Sequence, residues 1–225
     1  MDKAALERRL SRVEGFQDPR VEFEQYPTPA DLAAHLVHLA DVQGDLAGKT
    51  VLDLGTGTGM LALGAACRSP ARVLALDRDP AAVAQARENE RRVADAGTPA
   101  SATEVAWILA DATRAPLCPS ECGRSSPGAT SDLPEVTVLM NPPFGAQAGN
   151  EHADRAFLTT ASEIGSVSYS IHNSGSREFV EAFADDEGGD VTHAFRAELA
   201  LPRQFAHQTS DREVIEAEVF RVRWE

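Results

Sequence analysis

Two stretches of the sequence place reactive residue types at fixed spacing. The first is Asn141-Pro142-Pro143-Phe144, which ends the apolar, β-branched run "VTVLM" at residues 136–140. One proline stops a strand; two in a row, between a side-chain amide and an aromatic ring, fix the amide and the ring relative to each other. Pro142 has no N–H, and Pro143 confines Pro142 to an extended conformation that aims its carbonyl. The Asn141 side-chain oxygen and the Pro142 carbonyl are then two acceptors for one group. Phe144 offers a face on which a planar base or amide can stack, and Gly145 lets the chain turn away. Such a set suits an exocyclic –NH2. Binding both of its N–H groups frees the nitrogen lone pair from conjugation, so the nitrogen can attack. No strong base is required, because the ammonium proton leaves after transfer; the catalysis is positional.

The second stretch is "LDLGTGTGM" at residues 52–60. Gly55, Gly57 and Gly59 allow a tight turn and close approach of a ligand to backbone, with Thr58 between them and Met60 opening the next helix. The spacing is G-x-G-x-G, whereas a dinucleotide fingerprint needs glycine one place later, where Met60 stands. Asp53 precedes the turn and can receive a cationic amino group. Asp77 ends the next strand, 22 residues after Gly55, where a carboxylate accepts from both ribose hydroxyls. Asp111 ends the third strand, where it or the backbone of Ala112 can meet an adenine edge. An amine, a ribose and an adenine together describe S-adenosylmethionine. With Asn141 beside it, the chemistry is methyl transfer to an amine nitrogen. The plainer reading makes the glycines and carboxylates caps of a cofactor-free fold, Asn-Pro-Pro a strand terminator and Phe144 a core residue.

These residues sit at the ends of apolar runs that alternate with helical ones. Residues 30–43 place Leu32, Leu36, Leu39 and Ala40 on one helical face. Thr28 is read as the cap of that helix, with Pro29 in its first turn. Strands are expected at 49–55, 71–77, 103–111, 136–140 and 166–172, and helices at 60–69, 80–97, 150–165 and 174–186. Residues 112–135, rich in Pro, Ser and Gly, form a loop long for a compact domain. Two strands near 190–200 and 213–224 close the chain without a helix between them, so the last strand is antiparallel. The expected architecture is a single α/β domain over residues 1–225, with residues 1–48 a helical arm that contributes to the cofactor site. Its core is a seven-stranded Rossmann-like sheet of class I methyltransferase pattern with helices on both faces.

Composition sets the context. The 225 residues are 43% hydrophobic and carry a net charge of −14. Only Lys3 and Lys49 are lysines; the other basic residues are arginines. Scarce lysine with abundant Asp, Glu and Ala suggests a halophilic cytosol, where a short Debye length mutes self-repulsion and counterion release drives binding less. Acidity therefore does not exclude a nucleic-acid partner. No apolar run reaches the ~18 residues of a membrane span and the N-terminus lacks a secretory apolar region, so a cytoplasmic protein is expected. Cys67, Cys118 and Cys122 are an odd count, which argues against a disulfide framework; Cys118 and Cys122, with no second ligand pair nearby, are read as free thiols in preference to a metal site.

At this point the chain resembles the methyltransferase-like protein five family, the archaeal and eukaryotic small-subunit ribosomal RNA adenine-N6 methyltransferases. The likeness runs through "LERRLSRVEGFQDPRVEFEQYPTP" (6–29), "VLDLGTGTGMLALGA" (51–65), "MNPPFGAQ" (140–147), "HADRAFL" (152–158), "SYSIHNSGSREFV" (168–180) and the hairpin from "LPRQFAH" onward. It implies that Gln25 and Thr28 contact the cofactor from the arm, that Gly55, Thr58, Met60, Asp77, Asp111 and Ala112 line its pocket, and that Asn141, Pro142, Pro143 and Phe144 hold the target adenine. Tyr26 is core or flanks the site. His172, Asn173 and Ser174 are placed after a strand on the substrate side, with Ser174 favoured as a helix cap; His152 and Asp154 start a helix. The resemblance also implies a ribosomal RNA substrate and a small zinc-binding activator protein of the tRNA-methyltransferase type. It would add a strand to the exposed edge at 103–111, where Val105 and Trp107 face one side; in the plain alternative Trp107 packs on a helix. The hairpin reads "QTSDRE" where eukaryotic relatives carry lysines. Other enzymes that share Asn-Pro-Pro chemistry act on protein glutamine or on guanine-N2, and a non-catalytic RNA-binding subunit is the third reading. Asn141, Asp53 and Asp77 speak against that last one.

Overall fold

The computed structural model describes residues 1–94, 102–117, 135–144, 153–202 and 212–225. Cys118, Cys122, Gly145, His152, and most of the 112–135 loop and of the final hairpin's tip lie outside the described residues. The elements are α1 (Lys3–Leu10), α2 (Ala30–Val42), β1 (Thr50–Leu54), α3 (Met60–Ala66), β2 (Arg72–Asp77), α4 (Pro80–Ala94), β3 (Val105–Leu109), β4 (Val136–Met140), α5 (Ala153–Ile164), β5 (Val167–Asn173), α6 (Arg177–Asp186), β6 (Gly189–Pro202) and β7 (Arg212–Trp224). Short 3-10 turns occupy Val21–Phe23 and Ala112–Arg114.

The strands form one sheet of order β3-β2-β1-β4-β5-β7-β6. β1 and β4 are buried at every position, which is why their sequences are continuous apolar runs rather than alternating ones. Leu32, Leu36, Leu61 and Leu63 cover one face of the sheet together with α1. Phe157, Leu158, Ile164, Val180 and Phe183 of α5 and α6 cover the other. β7 runs antiparallel between β5 and β6, as the missing helix between the last two strands requires. The sheet therefore has the expected class I methyltransferase architecture.

The order places β1 beside β4, with Leu54 in register with Met140. The chain leaves these neighbouring strand ends in two directions, the switch point at which open α/β sheets bind ligands. The glycine turn and Asn141 are thus adjacent, although 86 residues separate Gly55 from Asn141.

Three local expectations are corrected. Thr28 does not cap α2: Pro29 holds the cap position, with no side-chain cap bond, and the Thr28 hydroxyl is engaged by Asn141 instead. Ser174 does not cap α6, which begins at Arg177 behind Ser176; the Ser174 hydroxyl donates to Glu216 Oε2 at 3.2 Å. His172 does not face the substrate side: it lies within β5, the strand expected at 166–172, paired with Glu218 of β7 and 1% exposed. A side chain so buried cannot reach an RNA. Far from the site, Tyr169 and Arg221 both hydrogen-bond Asp45, at 2.5 and 2.8 Å, and tie β5 and β7 to the loop after α2.

Candidate cofactor and acceptor site

A cavity of about 480 Å³ opens at the β1/β4 switch point. Its wall includes Gln25, Thr28, Gly55, Gly57, Thr58, Met60, Asp77, Asp111, Ala112, Asn141 and Pro143. Asp53, Gly59, Pro142 and Phe144 do not line it. Pro142 is buried, and Phe144 is half-buried against the core on the α2 side. Tyr26 does both: it lines the cavity and packs on that core.

The glycine turn is built under aromatic rings. Gly55, Gly57 and Gly59 all have positive φ. A Cβ added to Gly55 would lie 2.9 Å from Phe157, one on Gly57 would lie 3.0 Å from Phe16, and one on Gly59 would lie 2.7 Å from Trp107. The room that glycine leaves is therefore filled by side chains as well as open to the cavity. Phe16 and Phe157 line the cavity and were not indicated by any local sequence signal. Trp107 is held from the other side, its indole N–H donating to Glu90 at 2.8 Å. It thus packs on the helical layer, as the plain reading held.

The carboxylates around the turn are already engaged by the chain. Asp53 is 1% exposed, and its Oδ2 accepts from Thr56 Oγ1 at 2.6 Å and from the Ala62 N–H at 2.9 Å. Burial pushes its pKa up to about 7, against those hydrogen bonds. Asp77 accepts from the Gly57 N–H at 2.8 Å and the Asp79 N–H at 2.9 Å, and burial raises its pKa. Asp111 is exposed. Its partial desolvation is outweighed by hydrogen bonds from the Thr113 backbone and hydroxyl and by Arg78 and Arg114, which hold its pKa below the usual carboxylate range.

The arm before α2 forms the remaining wall and is pinned at three points. Asn89, fully buried, donates to the carbonyls of Glu14 and Thr58, each at 2.9 Å, and so joins arm to glycine turn. Gln25 Nε2 donates to Asp79 Oδ2 at 2.7 Å, while Gln25 Oε1 accepts from the Arg20 N–H at 2.8 Å. Asn141 Nδ2 donates to Thr28 Oγ1 at 2.9 Å. The Asn141 Oδ1 is buried and has no hydrogen-bond partner among the described residues. Asn89 and Asp79 act through contacts across many residues, which no short motif announces.

The sheet order, the switch-point cavity and the glycine turn define a class I methyltransferase. A family model described as ribosomal protein L11 methyltransferase (PrmA) matches residues 35–103. The crystal structure of a provisionally assigned RNA methyltransferase from Pyrococcus horikoshii superposes with a TM-score of 0.80 at 34% identity, covering 100% of this chain and 98% of that one. An uncharacterized protein of Methanocaldococcus jannaschii is 32% identical, covering 98% of this chain and 93% of its own. The rRNA N(6)-adenosine-methyltransferase Mettl5 of Drosophila melanogaster is 32% identical over 91% of this chain and 89% of its own. The chain belongs to the METTL5 rRNA N(6)-adenosine-methyltransferase family.

Proposed function

We propose that this protein transfers the methyl group of S-adenosylmethionine to the exocyclic N6 of an adenine in small-subunit ribosomal RNA. The observation that carries the reading is Asn141, which stands at the end of β4 on the wall of a cavity that also holds the glycine turn and keeps a buried side-chain oxygen that meets no partner among the described residues. An unmet acceptor in that position suits an N–H that arrives with the substrate. A cavity of about 480 Å³ is ample for a nucleoside-sized group.

When bound, the cofactor supplies an electrophilic methyl group. The chain's residues do the holding and aiming. Gly55, Gly57, Thr58, Gly59 and Met60 form the turn against which it packs. Asp77 keeps lone pairs for ribose hydroxyls beyond its two backbone bonds. Asp111 and Ala112 meet the adenine edge, and Gln25 and Thr28 close the cavity from the arm. Asp53 sits behind the turn, and a cationic amine brought near it would favour its charged form. Asn141 accepts one N–H of the target amine; the Pro142 carbonyl, fixed by Pro143, and the Phe144 ring would serve as second acceptor and stacking face once this strand end turns toward the cavity, which neither lines as it stands. Loss of the ammonium proton to water completes the reaction.

The match to a ribosomal protein methyltransferase model favours a second reading, with protein as acceptor. It ends at residue 103, before β4, and so bears on the cofactor side alone. An activator protein would add a strand at β3, the sheet edge where Leu109 is 59% exposed. Among the described residues no helix is long and apolar enough to cross a membrane, and a cytoplasmic setting fits an RNA substrate. The test is mass spectrometry of small-subunit ribosomal RNA nucleosides from cells with the intact gene and cells with Asn141→Ala. N6-methyladenosine should vanish from one site in the variant; an unchanged profile would reject RNA adenine as the acceptor.

A further inference from the structure

A side-chain amide can accept twice through its oxygen and donate twice through its NH2 group. Asn89, fully buried in α4, uses all four places. Its Oδ1 accepts from the Glu14 N–H at 3.0 Å and from Gln85 Nε2 at 3.3 Å. Its Nδ2 donates to the carbonyls of Glu14 and Thr58, each at 2.9 Å. A backbone N–H only donates and a carbonyl only accepts, so these partners fix which end of the amide points where. Asn89 thus grips both polar groups of one arm residue and, with its last proton, the glycine turn. Two residues past Glu14 the arm sets the Phe16 ring on that turn. A Cβ on Gly57 would lie 3.0 Å from the ring, and both residues line the cavity. The Gly57 N–H donates to Asp77 Oδ2 at 2.8 Å, so ring, turn and carboxylate meet at one place. Residues 23–28 of the same arm continue the cavity wall.

We propose that Asn89 is a positioning residue for S-adenosylmethionine: it seats the arm so that Phe16 stands against Gly57 as a wall of the cofactor site. This rests on reading the cavity as the place where the cofactor binds. Without the amide, the Glu14 and Thr58 carbonyls lose their common donor and the arm is no longer tied to the turn at this point. The cofactor must then order the arm as it binds, and its affinity falls by the cost of that ordering. By the same linkage, bound cofactor holds the arm residue that Asn89 grips.

The test is calorimetry of S-adenosylmethionine binding to the full chain, for Asn89→Ala, Phe16→Ala and the double variant. Tyr169→Phe is the control, because it removes buried hydrogen bonds to Asp45 and Arg221 far from the cavity. Asn89→Ala and Phe16→Ala should each raise Kd about tenfold. The double variant should bind little more weakly than the weaker single one, since both act through one contact. Tyr169→Phe should leave Kd within about twofold, which separates this role from general loss of stability. Should Asn89→Ala not fold, hydrogen exchange in the unaltered protein reads the same link. Saturating S-adenosylmethionine should slow exchange of the Glu14 amide, which donates to Asn89, by at least about tenfold. An unchanged Kd in Asn89→Ala, a fully multiplicative double variant, an equal rise in Tyr169→Phe, or Glu14 exchange that the cofactor does not slow would overturn the proposal. Failure of the unaltered protein to bind S-adenosylmethionine would instead reject the underlying reading of the cavity, so the two failures are separable.

Discussion

The two walls of the cavity differ in how much of their hydrogen bonding is already complete. On the glycine-turn side, Asp53, Asp77 and Asp79 each accept from neighbouring backbone or hydroxyl groups. Three glycines there are locked beneath Phe157, Phe16 and Trp107. On the β4 side, Asn141 has one bond to Thr28 and one buried oxygen with none. A satisfied network keeps its shape with or without a ligand, which is what a cofactor cradle needs. An unsatisfied acceptor costs stability until a donor arrives, and so belongs where binding should be strongest at the reacting atoms.

The largest effect should come from the open side. Asn141→Ala should lower methyl transfer by roughly a hundredfold to a thousandfold, the range for losing a preorganised group that stabilises the transition state. It should leave cofactor affinity nearly unchanged and cost at most about 1 kcal/mol of stability, because the only bond removed among the described residues is that from Nδ2 to Thr28. Comparable losses in transfer and in cofactor affinity would show that the two walls are not independent. The closed side should respond in the opposite way. In Gly59→Ala the new Cβ meets the Trp107 ring at 2.7 Å with φ at +89°. We expect a loss of about 2–3 kcal/mol in denaturant unfolding, from backbone strain plus overpacking. Gly188 has φ +74° but open space around it, so Gly188→Ala should cost only the strain, about 1–2 kcal/mol. Equal costs at the two positions would mean that the Trp107 ring yields freely.

The sequence carried the sheet and the turn because both are local signals. β1 and β4 are continuous apolar runs since both faces are covered, and the spacing of Gly55, Gly57 and Gly59 needs no distant partner to be recognised. What could not be read depends on contacts between remote segments. Thr28 precedes a helix and so resembles a cap, but its partner lies 113 residues away. In "SYSIHNS" the expected strand ends at residue 172; pairing with β7 carries β5 on to Asn173 and buries His172. Phe16 and Phe157 are ordinary aromatics in sequence until the topology sets both against one turn. Of the two acceptors predicted from Asn-Pro-Pro-Phe, Asn141 lines the cavity while Pro142 does not, and neither does the predicted stacking ring of Phe144. A short motif specifies the end of a strand but not the rotation of the side chains beyond it.

The smallest effect in the unaltered protein should be its pH dependence between pH 4 and 6.5, because buried groups there oppose each other. Asp53 has its pKa raised by burial to about 7, from ~3.9 in an unfolded chain. The native state then binds the extra proton, and this residue makes folding less favourable as pH climbs from ~4 to 7. His172 has its pKa lowered by burial to about 4, from ~6.5 unfolded. The unfolded chain binds that proton, and this residue makes folding less favourable as pH falls from ~6.5 to 4. Asp154, 4.0 Å from its Nδ1, does not offset the burial. Each shift corresponds to at most ~3–4 kcal/mol at 1.36 kcal/mol per pH unit, with opposite slopes over the same interval. Asp53→Asn should therefore make the slope from pH 4 to 6.5 more positive than in the unaltered protein, with His172 then opposed by Asp77, whose pKa burial also raises. His172→Phe, which keeps a planar ring beside Phe220, should expose the Asp53 slope, with stability falling from pH 4 to 7. Urea unfolding of both variants without cofactor, measured at half-unit steps, checks the signs. A slope that Asp53→Asn does not make more positive, or that His172→Phe does not make more negative, than in the unaltered protein would show that the group removed does not titrate as its burial dictates. Saturating S-adenosylmethionine should then flatten the slope of His172→Phe alone, if its amine favours the charged form of Asp53.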